Sequence, residues 1–184
     1  MRLASFLAAA LALAITGPVH AQSWDEYTNR EDHFTVNFPG DPTVEKITYK
    51  TEKGTSLPGN VYTAKDARGG EYKITVVNYT SAPTEEATAV AEAAKVLRTK
   101  GTVKYDGVEH QNNMRSQRIS LNLANGRFLL AETLMDRANH LFILEADTAP
   151  GVPPPSQFQA SLQVLDDSGV ALRYKNPEST ERVR

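Results

Sequence analysis

The strand-like stretch at residues 33–38, and the abrupt stop that follows it, set the first constraint on the fold. In HFTVNF, apolar and polar residues alternate with the two-residue period of an extended chain. The residues that share the apolar face are Phe34, Val36 and Phe38. Pro39 and Gly40 then fit the central positions of a type II turn, because proline presets φ and glycine tolerates a positive φ. Pro42 keeps the strand from resuming at once, so we interpret the stop as a feature of the fold and not of catalysis.

Further strands and one helix are predicted downstream. Runs rich in β-branched and aromatic residues predict strands at residues 44–51, 60–64 and 71–79. Turn signals separate them, including the LPG segment at 57–59. The period then changes to that of a helix over residues 84–101, with Thr84 as a candidate cap and Gly101 just beyond its end. The predicted apolar stripe of this helix is Ala87, Val90, Ala91, Ala94 and Leu97.

A β-meander and a second helix complete the predicted layers. The meander strands are predicted at residues 117–123, 127–135 and 141–146. A hairpin turn at Asn125–Gly126 separates the first two, and the last two are apolar on both faces. Both faces of these strands therefore need a cover, and residues 153–167 offer a second helix with Ser156 as its cap. The element order predicts an α+β domain, a mostly antiparallel sheet flanked by two main helices.

The first 21 residues have the pattern of a secretory signal peptide. A positive start at Met1–Arg2 precedes an apolar run at residues 3–15, and Val19–Ala21 fits the cleavage pattern. The run is too short to span a bilayer, which takes about 20 apolar residues. We predict export to the periplasm with cleavage after Ala21, a single domain over residues 22–174, and a disordered polar tail over residues 175–184.

Composition excludes several classes of protein and of site. The chain has no cysteine, which excludes a disulfide framework, a thiol nucleophile and a thiolate metal site. Without Arg2, 19 basic residues face 22 acidic ones, a formal net charge of −3. This charge gives no electrostatic footprint for nucleic acid. No later apolar run is long enough for a membrane span. The fold must therefore be held by its core alone.

Candidate site residues are few and dispersed. The sharpest metal-binding pattern is Asp106, Glu109 and His110, which would offer oxygen and nitrogen ligands to zinc or manganese if a fourth group came from elsewhere. The simpler interpretation is a turn at Asp106–Gly107 flanked by polar strand residues. The histidines beyond the predicted cleavage point fall on different elements; they are His33, His110 and His140. We therefore predict no catalytic residue, no metal site and no bound cofactor.

The order of elements, together with one short motif, resembles a known superfamily. WDEY at 24–27, FTVNFPGDP at 34–42, the capped helix, the meander and FQASLQVLD at 158–166 together resemble the PsbP-like superfamily. The positions that match its motif are Phe34, Val36, Phe38, Pro39, Gly40 and Pro42. That group includes extrinsic photosystem subunits and DcrB-like bacterial envelope proteins. The resemblance implies an α-β-α sandwich, and because the matched positions are structural in the family, it assigns no catalytic residue.

Two functional hypotheses from different classes follow. The first is an exported, non-enzymatic periplasmic accessory or binding protein that docks on another envelope component, with another periplasmic or envelope protein as the expected partner. The alternative is a periplasmic hydrolase or metal-dependent enzyme whose site is assembled from dispersed histidines and carboxylates. A pocket in which a histidine lies among carboxylates would favour the alternative.

The predicted cleavage point is directly testable. Protein purified from the periplasm of the native host should begin at Gln22, because removal of 21 from the 184 residues leaves a chain of 163. Intact-mass spectrometry measures this. A membrane-retained species that still carries Met1 would contradict the prediction.

Overall fold

The computed structural model describes residues 24–154 and 156–172, which form two antiparallel sheets and two helices. The predicted signal peptide and the predicted tail lie outside the described residues. The smaller sheet has the order β1-β2-β10; its strands are β1 (Asp25–Asn29), β2 (Phe34–Phe38) and β10 (Gln163–Val164). The helices are α1 (Glu86–Arg98) and α2 (Gln157–Ala160).

The larger sheet has seven strands in the order β3-β4-β5-β9-β8-β7-β6. Its strands are β3 (Thr43–Lys50), β4 (Ser56–Lys65), β5 (Glu71–Asn78), β6 (Gly101–Gln111), β7 (Met114–Leu123), β8 (Phe128–Met135) and β9 (His140–Thr148). The α+β class and the mostly antiparallel sheet are confirmed. None of the described helices is long and apolar enough to cross a membrane.

Two apolar cores lie on the two faces of the large sheet. On one face, α1 packs its small residues against β7 and β8, which explains why its stripe is rich in alanine. On the other face, β2, β10 and α2 pack against β4, β5 and β9. The face of β2 predicted to point inward is fully buried; it consists of Phe34, Val36 and Phe38. The strands between the two cores are therefore apolar on both faces, as predicted for the meander.

The predicted second helix is wrong in length. In the described part of residues 153–167 only one turn, α2, is helical, and Gln163 and Val164 pair with β2 instead. Ser161 ends the helix, since its hydroxyl donates to the Phe158 carbonyl (2.9 Å) and accepts the Asn37 amide (2.8 Å). A side chain that bonds to nearby backbone in this way competes with helix continuation. The second face is therefore covered mainly by the small sheet and not by a helix.

Helix α1 lies where it was predicted, with different ends and a shifted stripe. Its N-cap is Glu85 and not Thr84, and Gly101 begins β6. The buried residues are Ala89, Val90, Ala93, Ala94 and Leu97, whereas Ala87 and Ala91 are exposed. The apolar stripe is thus rotated because alanines occur on most sides of this helix and only the contact with the sheet selects among them.

Three predicted turns differ in the structure. The segment 57–59 lies within β4, where a Cβ on Gly59 would come within 2.7 Å of the Val76 carbonyl oxygen. Glycine there permits close approach of β5. Asp106–Gly107 lies within β6, so the expected turn is wrong. Gly40 has φ of 143°, far from the +80° of a type II turn, and the chain bends there without that turn.

The contrast between Phe38 and Asp41 tests the structural interpretation of the opening motif. Phe38 is fully buried, with its ring 5.4 Å from that of Phe158, while Asp41 is exposed. Phe38→Ala should lower the free energy of unfolding by about 3–5 kcal/mol. Asp41→Ala should change it by less than about 0.5 kcal/mol. Urea melts of both variants measure this, and equal effects would contradict it.

Candidate functional site

A cleft of about 460 Å³ opens on the face of the large sheet that packs on α1. Lys100, two residues beyond α1, forms part of its wall. We call it the charged cleft; its lining residues are Glu71, Lys73, Lys100, Leu123, Ala124, Asn125, Leu129, Glu145 and Asp147. The volume falls in the range of about 300–1,000 Å³ that binding pockets commonly have.

Cross-strand register brings the charged residues of the floor together. Glu71 lies opposite Asp147, and Lys73 lies opposite Glu145, on the neighbouring strands β5 and β9. Leu129 of β8 lies opposite Asp147 and continues the floor as an apolar wall. Directly opposite residues point to the same face of an antiparallel sheet. Two cross-strand pairs, one of two carboxylates and one of a lysine and a glutamate, therefore stand side by side on β5 and β9, next to Leu129 of β8.

Ion pairs hold each carboxylate of the cleft. The ammonium of Lys100 contacts Glu145, whose side chain is only 13% exposed. Glu71 pairs with Lys65 and Lys73, both at 3.3 Å. Burial alone would raise the pKa of Glu71, but the two ammonium groups outweigh it and hold that pKa below its usual range. Glu71 therefore stays negatively charged near neutral pH.

Arg127 fixes the third carboxylate. Its Nε donates to Asp147 Oδ1 at 2.7 Å, and its terminal nitrogen donates to the Gly69 carbonyl at 2.8 Å. The guanidinium of Arg127, the residue directly before β8, thus joins β9 to the turn before β5. The like charges of Glu71 and Asp147 would repel each other across the strands, but different cations neutralise them: two lysines pair with Glu71 and Arg127 pairs with Asp147.

The arrangement suits recognition of a charged surface. Four of the charges stand on the central strands β5 and β9, and an apolar wall lies next to them. Complementary charges in such a setting select a partner and orient it. The sequence did not predict this site, because alternating charged residues on a strand are usually a solvated face, and only the register between β5 and β9 brings them together.

The predicted metal-binding residues are not brought together. Asp106 and His110 lie on the α1 face of β6 and Glu109 on the opposite face, since alternate strand residues point to opposite sides. Asp106 is bound by Arg98, with Nε to Oδ2 at 2.6 Å, and Glu109 is bound by Arg118 at 2.9 Å. Among the described residues, no group of three or more histidines, aspartates and glutamates could hold a metal ion.

Two histidines that the sequence placed on different elements meet in space. The rings of His33, just before β2, and His140, at the start of β9, stack with centroids 5.1 Å apart and planes 22° apart. Asp136 accepts the backbone amide of His140 at 2.7 Å, and its other oxygen lies 3.1 Å from Nδ1. Asp167 lies 3.8 Å from Nδ1 of His33. In the sequence, the one signal for this cluster was the spacing of Asp136 and His140 on either side of a short turn.

The environment of His140 favours its charged form. The hydrogen bond to Asp136 is the main cause that raises its pKa, and burial opposes it. The charges of Asp136, Asp32 and Asp167 raise the pKa further. His140 and Asp136 are both buried, and their contact joins the two ends of the turn between β8 and β9.

Comparisons with known proteins give a resemblance at the level of the fold. No protein-family model and no curated protein sequence matches the chain. A search of solved structures finds similarity to the cyanobacterial PsbP (CyanoP) from Synechocystis sp. PCC 6803. The match has 14% sequence identity and a TM-score of 0.45, and it covers 75% of this chain and 87% of that one. The weak, fold-level PsbP-like resemblance seen in the sequence is therefore confirmed, and no site residue comes with it.

The raised pKa of His140 predicts a defined pH dependence of stability. Protonated His140 stabilises the fold below about pH 6.5, the ordinary pKa of histidine, and this contribution is lost as the pH rises through the higher folded value. The free energy of unfolding of the wild type, relative to His140→Asn, should therefore fall over that window. Urea melts across pH measure it, and a difference that stays constant or rises would contradict the prediction.

Proposed function

We propose that this chain is an exported, non-enzymatic periplasmic accessory protein that docks on another envelope protein through the charged cleft. The observation that carries the proposal is the cleft itself, in which ion-paired charges stand beside an apolar wall on rigid strands. Charged groups arranged in this way suit recognition of a partner of complementary charge. The signal-peptide pattern of residues 1–21 supports export.

We also regard the fold as a variant of the α-β-α sandwich. In this variant, α1 covers one face of the large sheet, and the small sheet with α2 takes the place of the second helical layer. Because the small sheet lies on the face opposite α1, it leaves the charged cleft open.

The enzyme hypothesis keeps one specific observation in its favour. The stacked imidazoles of His33 and His140 lie near Asp136 and Asp167, which is the kind of clustering that acid–base chemistry uses. The charged cleft is lined by other residues, so the two hypotheses concern different surfaces. If His33→Asn and His140→Asn failed to replace the wild-type gene in a deletion strain of the native host while still binding the docking partner, the enzyme hypothesis would be favoured.

A charge swap tests docking through the cleft. In the double variant Lys100→Glu with Glu145→Lys, the ion pair is retained but its direction is reversed. Recovery of crosslinked envelope proteins from the native host should fall by about tenfold or more, equivalent to about 1.4 kcal/mol, because like charges then face each other at the interface. The thermal melting temperature should stay close to that of the wild type.

The control is the same swap at a second surface ion pair. Lys95 and Glu52 are joined at 2.7 Å and do not line the charged cleft. Lys95→Glu with Glu52→Lys should leave the adducts unchanged. Equal recovery from both double variants would refute docking at the cleft, and a wild type that yields no adduct with any other protein would refute the docking function.

A further inference from the structure

Strand β6 forms one edge of the large sheet and exposes apolar side chains to solvent. It is 11 residues long, and only β7 pairs with it in the described part of the chain. Its exposed apolar residues are Val103, Tyr105 and Val108, with exposed fractions of 41%, 46% and 49%. Such an edge is a template for pairing with another strand unless something covers it.

A bulge limits the regular part of this edge to seven residues. The register with β7 shifts between Val103 and Tyr105 and then runs without a break to Gln111. Lys104, inside the irregular part, adds a charge of the kind that blocks edge pairing. The regular segment is therefore 105–111, and its central residue is Val108.

We propose that two copies of this chain pair their β6 strands in antiparallel fashion about a two-fold axis at Val108. An axis perpendicular to the sheet keeps each side chain on its own face. Two residues can therefore stand opposite each other only if both of their numbers are even or both are odd. With Val108 on the axis, the two regular segments overlap over their full length. The result is one continuous sheet through both copies.

The side chains in this register complement each other. Asp106 of one copy lies opposite His110 of the other, twice, on either side of the central valines. On the opposite face, Glu109 lies opposite Gly107; the Tyr105 ring of the same strand lies over that glycine and donates its hydroxyl to Glu109 of its own copy at 3.1 Å. Arg98 holds Asp106 from the same face through a contact of 2.6 Å, and this keeps the carboxylate in place.

Neighbouring registers lack this complementarity. An axis at Asp106 sets two carboxylates directly against each other, and so does an axis at Glu109. An axis at Gly107 places Asp106 opposite Val108 and loses both pairs with His110. Like charges directly opposite on a sheet are destabilising, so the charge pattern favours Val108 as the centre. The dimer uses a surface other than the charged cleft and does not depend on the proposed docking.

The absence of cysteine makes a clean test possible. Val108→Cys introduces the single thiol of the chain, so any disulfide must join two copies. The proposal places the two thiols opposite each other on the axis, so mild oxidation should convert most of the protein to a disulfide-linked dimer. Val103→Cys, on the same edge but beyond the bulge, is the matched control and should form no disulfide-linked dimer.

Two further measurements decide the proposal. Wild-type protein should sediment as a dimer, and His110→Asp, which creates two like-charged pairs, should weaken that dimer by about tenfold or more. Circular dichroism of each variant checks folding. A monomeric wild type, crosslinking of Val108→Cys no faster than that of Val103→Cys, or a dimer unaffected by His110→Asp would overturn it. Each of these outcomes leaves the docking experiment unchanged.

Discussion

The packing of β2 against the large sheet is the contact on which the rest of the second face depends. Phe34 is fully buried, and its ring meets that of Tyr62 at 5.0 Å and that of Phe142 at 6.4 Å, both close to edge-on. The Tyr62 hydroxyl donates to Asp32 at 2.5 Å, which fixes the turn that leads into β2. The His33 carbonyl in that turn accepts the Leu165 amide at 2.7 Å. In a chain without disulfides, this aromatic contact orders β2 and, through it, the segment that follows α2.

A buried carboxylate organises the part of that face beyond the small sheet. Glu132 of β8 is 1% exposed, and burying an unpaired charge would be costly. Ser116 donates to one of its oxygens at 2.7 Å and Arg118 to the other at 2.8 Å. Arg118 also binds Glu109, which ties the outer strand β6 to the buried charge through β7. This network explains why Glu109 is not available as a metal ligand.

The parts of the fold that were predictable from the sequence are those with a strong local period. Strand β2 alternates because one face is buried, and α1 follows the period of a helix, so both were located correctly. The prediction for the region after α2 was wrong because Ser161 bonds to Asn37, 124 positions earlier, and such a contact leaves no local pattern in the sequence. Strand β6 was not predicted because an exposed edge strand needs no alternation of apolar and polar residues. The charged cleft and the stacked histidines were not predicted either, because both are made by strand register and turn contacts between segments that are distant in the sequence.

The geometry of the large sheet also relates the two surfaces to each other. The charged cleft lies on the face that packs on α1, and it is built mainly on β5 and β9, which are paired on both sides and hold the charges rigidly. Association at β6 breaks no existing ladder, because that edge is unpaired in the described chain. A two-fold axis perpendicular to the sheet leaves each face where it is. Both clefts of the proposed dimer would therefore open to the same side, which is the arrangement that lets two copies hold one extended partner at two points and gain avidity without any new contact.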